Sequence, residues 1–303
     1  MFTRHLLTNY SRPFSEGPLA LPKQRPSLHC RTFTSPLVEK VIEDVTSRMV
    51  DKDLARLFEN AFPNTLDTTV RWHVDGSDIK TELKAKRSLR NDGKWEGPQS
   101  FIVTGDINAE WLRDSTNQLL QYQPLARKDP AIFNLILGAI NTQAEYVIES
   151  PYCNAFQPPP PSRLPYTKND QEDCTFYHCF FLGVALNCLL LYADVHPAYE
   201  PSRVFECKYE LDSLAHFLAL SNTFYNHTQS TDYLNARWYT ALDTILSVID
   251  AQSQSTFDPV TGGFKKNEYT FQRRTDQGTE TLSLSGVGNP LKSGTGLVRS
   301  AFR

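Results

Sequence analysis

The stretch "INAEWLRDSTNQLL", residues 107–120, brings Trp111, Arg113 and Asp114 into one short segment with helical spacing. Asn108 reads as the N-cap, and Glu110 falls in the first turn, where an acid is favoured. From that cap, Trp111, Asp114, Gln118 and Gln121 share one face while Leu112 and Leu119 share another. A ring, a carboxylate and amides on one face are the chemistry of a sugar site. Pyranoses stack their C–H faces on aromatic rings and offer hydroxyls to carboxylates, amides and guanidinium groups. A solvated face with Trp111 tucked sideways has the same pattern and is the commoner outcome for a charged stripe. Spacing alone leaves both readings open.

The surrounding elements must position that segment. "SPLVEKVIEDVTSRMVDKDLARLFENAFP" puts Val38, Val41, Ile42, Val45, Leu54, Leu57 and Phe58 at helical spacing, with "DKD" as the break of a helical hairpin. Residues 70–107 hold Asp-Gly and Asn-Asp-Gly turns between short β-branched or aromatic stretches, which predict strands or extended loops. "DPAIFNLILGAINTQAEYVIES" predicts an amphipathic helix opened by Asp129 and Pro130. Residues 151–173, rich in proline and then in polar residues, read as a long surface loop. Residues 174–196 are apolar almost all round and predict a helix buried on several sides. Further helices fit 211–224 and 233–256, and 267–285 alternates like strand and loop. The succession predicts a mainly α fold, with no strand–helix alternation to build a parallel sheet.

Composition narrows the partners. The chain has 303 residues, 40% hydrophobic and 21% charged, and a net charge of -3, so it lacks the basic field that nucleic acid requires. Its six cysteines show neither a C-x-x-C pair nor zinc spacing with histidine, so no metal or cofactor is expected. Cys174, Cys179 and Cys188 lie in or beside the apolar run, as small hydrophobes or as disulfide partners. No apolar stretch reaches signal-peptide or transmembrane length on this reading. Residues 1–30 are read as a disordered leader and 31–303 as part of one domain. Asn9 and Asn226 fit the glycosylation sequon, which matters only on a secretory route, so the compartment stays open.

"TGDINAEWLRDSTNQLLQY", with "RTFTSPLVEKVIEDV" and "ENAFPNTLDTTVRW" before it and "KYELDSLAHFLAL", "YTFQRRTDQGTETLSL" and "GTGLVRSAFR" after it, resembles glycoside hydrolase family 125, the exo-acting α-1,6-mannosidases. The fungal branch is the nearer one: Asn108 and Glu110 stand where bacterial members tend to have Pro and Met. The resemblance implies an (α/α)6 barrel and metal-independent hydrolysis with inversion, releasing mannose from α-1,6-linked mannosides. It places Trp111, Arg113 and Asp114 in the pocket for the terminal mannose. It also brings in Asp212, whose other reading is the N-cap of a helix from Leu214, and Arg299 and Arg303, whose other reading is a helix terminus.

Inversion takes one carboxylic acid to protonate the leaving oxygen and one carboxylate to activate water, roughly 6.5–9.5 Å apart. In the family the acid follows the "RSAFR" block in a Pro-Ser-Asp-Asp segment, and the base is a glutamate well beyond it. This sequence stops at Arg303, so the expectation is a C-terminally incomplete barrel with acid and base beyond that residue. The alternative is a noncatalytic mannoside-binding or vestigial protein.

Overall fold

The computed structural model describes residues 13–76, 94–168, 194–265, 268–272 and 296–300. Among them, helices α1 (Pro36–Arg48) and α2 (Lys52–Ala61) form the expected hairpin. Ser35 Oγ accepts from Val38 N to start α1, and the Asp51 carboxylate accepts from Asp53 N and Leu54 N to start α2. Strands β1 (Val70–Val74) and β2 (Gln99–Ile102) then pair antiparallel, with Val70 opposite Ile102 and Val74 opposite Gln99. The two-residue strand β3 (Glu110–Trp111) leads into α3 (Leu112–Leu120). The expected start of this helix at Asn108 is therefore wrong. Glu110 pairs with Phe156 in a ladder, and that pairing holds the backbone extended until Leu112.

Helix α4 (Pro130–Glu149) is the axis of the core. It is capped as expected, with Asp129 Oδ1 accepting from Ala131 N at 2.8 Å, and it packs on β2 and on two later helices. It is not merely striped: Leu135, Ile136, Ala139, Ile140, Ala144 and Val147 are buried, and so are Asn141, Thr142, Gln143 and Glu145 between them. Each of these polar residues has a partner. Asn141 Nδ2 donates to Pro98 O, Thr142 Oγ1 to Gln99 Oε1 and Gln143 Nε2 to Ser115 Oγ, while Glu145 accepts two bonds of 2.7 Å from Arg237. Contrary to the sequence reading, this helix is long and apolar enough to cross a membrane by length and composition, though most of it lies inside the fold.

Close approach to β2 is allowed by Gly138, where an added Cβ would press on Ser100 Oγ and lie 2.8 Å from the Gln99 carbonyl carbon. We expect Gly138→Ala to destabilise the protein by about 1–3 kcal/mol. An unchanged urea midpoint would show that α4 and β2 can part without penalty.

After α4 come β4 (Ala155–Phe156), β5 (Asp194–His196), β6 (Val204–Glu206), α5 (Leu211–Thr228), α6 (Ala236–Ser253) and β7 (Thr270–Gln272). Strands β3, β4 and β6 form one small antiparallel sheet, and β5 pairs with β7. Of the surface loop expected at 151–173, Pro160 to Lys168 are exposed or half-buried, and 169–173 lie outside the described residues. Tyr152 to Pro159 are buried, with the Phe156 ring stacked on Tyr146 at 4.5 Å. Most of the helix expected at 174–196, with Cys174, Cys179 and Cys188, lies outside the described residues, and its last three positions are strand β5.

The disordered leader expected through residue 30 does not hold for 13–30. Arg25, 5% exposed, donates to Asp67 Oδ2 at 2.8 Å and to both Glu39 oxygens at 2.7 and 2.8 Å. A buried arginine paired this way fixes its backbone to α1.

Candidate active site

The chemistry-bearing residues meet where the first turns of α3 and α5 lie side by side. Leu112 and Leu119 are fully buried and Thr116 Oγ1 donates to His216 O, so the inner face of α3 is laid along α5. That packing brings the first turn of α3 against Glu210 and Asp212 at the start of α5. Arg113 Nη1 donates to Glu210 Oε2 at 3.0 Å and to Asp212 Oδ2 at 3.2 Å. Its Nη2 lies 3.3 Å from Asp114 Oδ2.

One guanidinium thus faces three carboxyl groups. Burial works against the charge on Arg113, but Glu210, Asp212 and Asp114 more than offset it and hold the group above its ordinary value. Burial pushes the Glu210 carboxyl up to about 7, against the pull of Arg113 and with a push from Asp212 and Glu206. Two oxygens here, Asp212 Oδ1 and Asp114 Oδ2, are shielded from solvent without a hydrogen-bond partner; the Asp114 contact with Arg113 is an ion pair only. The Asp114 and Asp212 side chains are otherwise partly exposed, so their outward oxygens can accept from the hydroxyl groups of a ligand.

Trp111 stands at the N-cap position of α3, two residues before Arg113, with its ring edge-on to Phe205 at 5.5 Å. Asp212 is not a cap for a helix from Leu214: α5 begins at Leu211, Glu210 stands at the N-cap position and Asp212 lies in the first turn. Arg299 is not brought to the cluster. Its Nη2 donates to Gln254 O at 2.7 Å and to Thr256 Oγ1 at 3.3 Å, and its backbone N donates to Gln252 O, so it fastens the chain to the end of α6. Its neighbour Ser300 reaches nearer, with Oγ accepting from Leu211 N at 3.1 Å. Arg303 lies outside the described residues.

Sequence reasoning missed two acids. Glu210 had a signal, since it sits two positions before Asp212 in "ELDS". Glu110 had none. Its carboxyl is fully buried and accepts from Ile102 N at 3.2 Å beside Ser115 and Gln143, and burial pushes it up to about 8.

The mainly helical fold is of the α/α barrel type, and its candidate site gathers three carboxyl groups round one arginine. The sequence model of the metal-independent α-mannosidases, glycoside hydrolase family 125, matches residues 51–303, and the chain belongs to that family. It is 49% identical over 287 residues to the Meiotically up-regulated gene 157 protein of Schizosaccharomyces pombe, covering 95% of this chain and 49% of that one. This agrees with the fungal branch. Its fold matches, with a TM-score of 0.61 and 26% identity, a Streptococcus pneumoniae chain solved as a non-productive substrate complex with α-1,6-mannobiose, in work on a family of metal-independent α-mannosidases. That match covers 90% of this chain and 50% of the other. The chain spans about half the length of the relatives it matches.

Proposed function

We propose that this chain contributes the sugar-gripping side of an inverting exo-α-1,6-mannosidase, with Arg113, Asp114, Glu210 and Asp212 holding the terminal mannose and Trp111 bordering it. The observation that carries the reading is Arg113 drawing three carboxyl groups together while the Asp114 and Asp212 side chains stay 38% and 37% exposed. Neighbouring hydroxyls of a pyranose can donate to the exposed oxygens of these carboxylates and accept from the guanidinium, which supplies bonds of the charge-assisted kind. The mannoside ligand in the S. pneumoniae structure supports the choice of sugar and linkage. The acid and base of inversion are assigned to the family blocks that follow "RSAFR", and none of the carboxyls named here is given either role.

Calorimetric titration with α-1,6-mannobiose tests the reading. Binding is expected, unaffected by EDTA, and weakened about 10- to 100-fold by Asp212→Asn, the loss of one charge-assisted hydrogen bond. No binding by folded protein, or equal binding of α-1,6-linked glucobiose, would remove the mannoside assignment.

A further inference from the structure

We propose that the Cys153–Cys207 disulfide and the neighbouring Asn154 side chain form a positioning staple for the Arg113 cluster, so that mannoside affinity depends on the oxidation state of this one bond. The proposal rests on the reading of that cluster as the sugar site.

The two cysteines are 54 residues apart in sequence, and both are buried. Cys153 precedes β4, and Cys207 follows β6 directly and stands three residues before Glu210. Asn154, itself 1% exposed, touches both halves of the site. Its carbonyl accepts from Leu112 N at 3.3 Å, the first residue of α3. Its Oδ1 accepts from Lys208 N at 3.0 Å and its Nδ2 donates to Glu206 Oε2 at 3.0 Å. The dipeptide Cys153–Asn154 therefore joins the helix start that carries Arg113 and Asp114 to the strand end that runs into Glu210 and Asp212.

The first turns of α3 and α5 also touch directly, through Thr116 Oγ1 to His216 O and Arg113 to Glu210 and Asp212, but the connection from β4 and β6 into that contact is slight. The β3–β4 and β4–β6 ladders are two residue pairs each, and the second has a register irregularity, so backbone pairing specifies position weakly. On the far side, Tyr269 OH donates to Cys207 O and accepts from Tyr209 N, which orients the same segment but does not reach α3. Reduction by a dithiol adds two electrons and two protons, breaks the S–S bond and leaves two thiols, while the dithiol closes to its own disulfide. The Asn154 side chain still bonds Lys208 N and Glu206 after reduction and so holds the β4–β6 end of the staple.

The experiment compares the oxidised protein, Cys153→Ser/Cys207→Ser and Asn154→Ala by hydrogen exchange and by titration with α-1,6-mannobiose. In both variants the amides of residues 207–213 are expected to exchange at least about tenfold faster, with α1 and α2 unchanged, and affinity is expected to fall about tenfold or more. Oxidised glutathione should restore affinity to wild-type protein first reduced with dithiothreitol. Asn154→Ala keeps the disulfide, so it reports even if the serine variant folds poorly. Unchanged exchange at 207–213 in Asn154→Ala and in reduced protein would overturn the staple. Faster local exchange in a protein that never binds mannobiose would uphold the staple and overturn the sugar assignment instead.

Discussion

Replacing Arg113 by methionine is expected to weaken α-1,6-mannobiose binding by about 100-fold or more. Two effects add. The ligand loses charge-assisted donors, each worth about 1.5–3 kcal/mol, and Asp114, Glu210 and Asp212 lose the cation that holds them together. Without Arg113 the pull that lowers the Glu210 carboxyl is gone, so that group rises above its present value of about 7 and binding shifts with pH across the neutral range. Folding should suffer less, by about 1–2 kcal/mol, because the Arg113 side chain is 32% exposed and water can screen what remains. Arg113→Lys should fall between, since it keeps the charge but cannot reach two carboxylates in one plane. Titrations at pH 6 and pH 8 check this. Wild-type affinity in Arg113→Met at both values would show that the cluster only holds two helices together.

The second large effect concerns stability and lies at Glu110. Burial raises this carboxyl from 4.5 to about 8. Between those values the folded protein keeps a proton that the unfolded chain releases, so stability is greatest below the unfolded value and falls as pH rises through the folded one. At about 1.4 kcal/mol per pH unit, the loss is on the order of 5 kcal/mol by pH 8. Glu110→Gln keeps the shape and an acceptor for Ile102 N without ionising, so its stability curve should be flatter, and at pH 8 it should be the more stable protein. Glu210 titrates over an overlapping window in both proteins, which leaves a residual slope. Urea denaturation at pH 5, 6.5 and 8 decides the matter: parallel curves would mean that Glu110 ionises without penalty.

The start of α4 was legible because a cap acts over three residues: Asp129 accepts from the amides just ahead of it, while the hairpin and both later helices could be read from apolar spacing. Glu110 misled because its environment is non-local: the residues that bury it, Ile102, Ser115 and Gln143, arrive from β2, α3 and α4. A first-turn acid and a core acid look alike in one dimension. The Arg113 bonds to Glu210 and Asp212 bridge 97 and 99 residues, so no local pattern announces them, and only the family resemblance joined Arg113 with Asp212. The same resemblance drew in Arg299, whose guanidinium is taken up by Gln254 and Thr256. Among six cysteines the one pairing described here, Cys153 with Cys207, is decided by where β4 and β6 meet.

Helix α4 has a consequence for where its residues can reside. Hydropathy cannot tell it from a lipid-spanning segment, yet Asn141, Thr142, Gln143 and Glu145 run almost without a break through its second half. In the fold, Pro98, Gln99, Ser115 and Arg237 answer them one by one. A bilayer offers no such answers, so the carboxyl, the amides and the hydroxyl each add to the cost of placing this helix in lipid. Four side chains therefore write an address into an otherwise greasy helix. They make lipid a poor solvent for it and the interior of its own protein a good one.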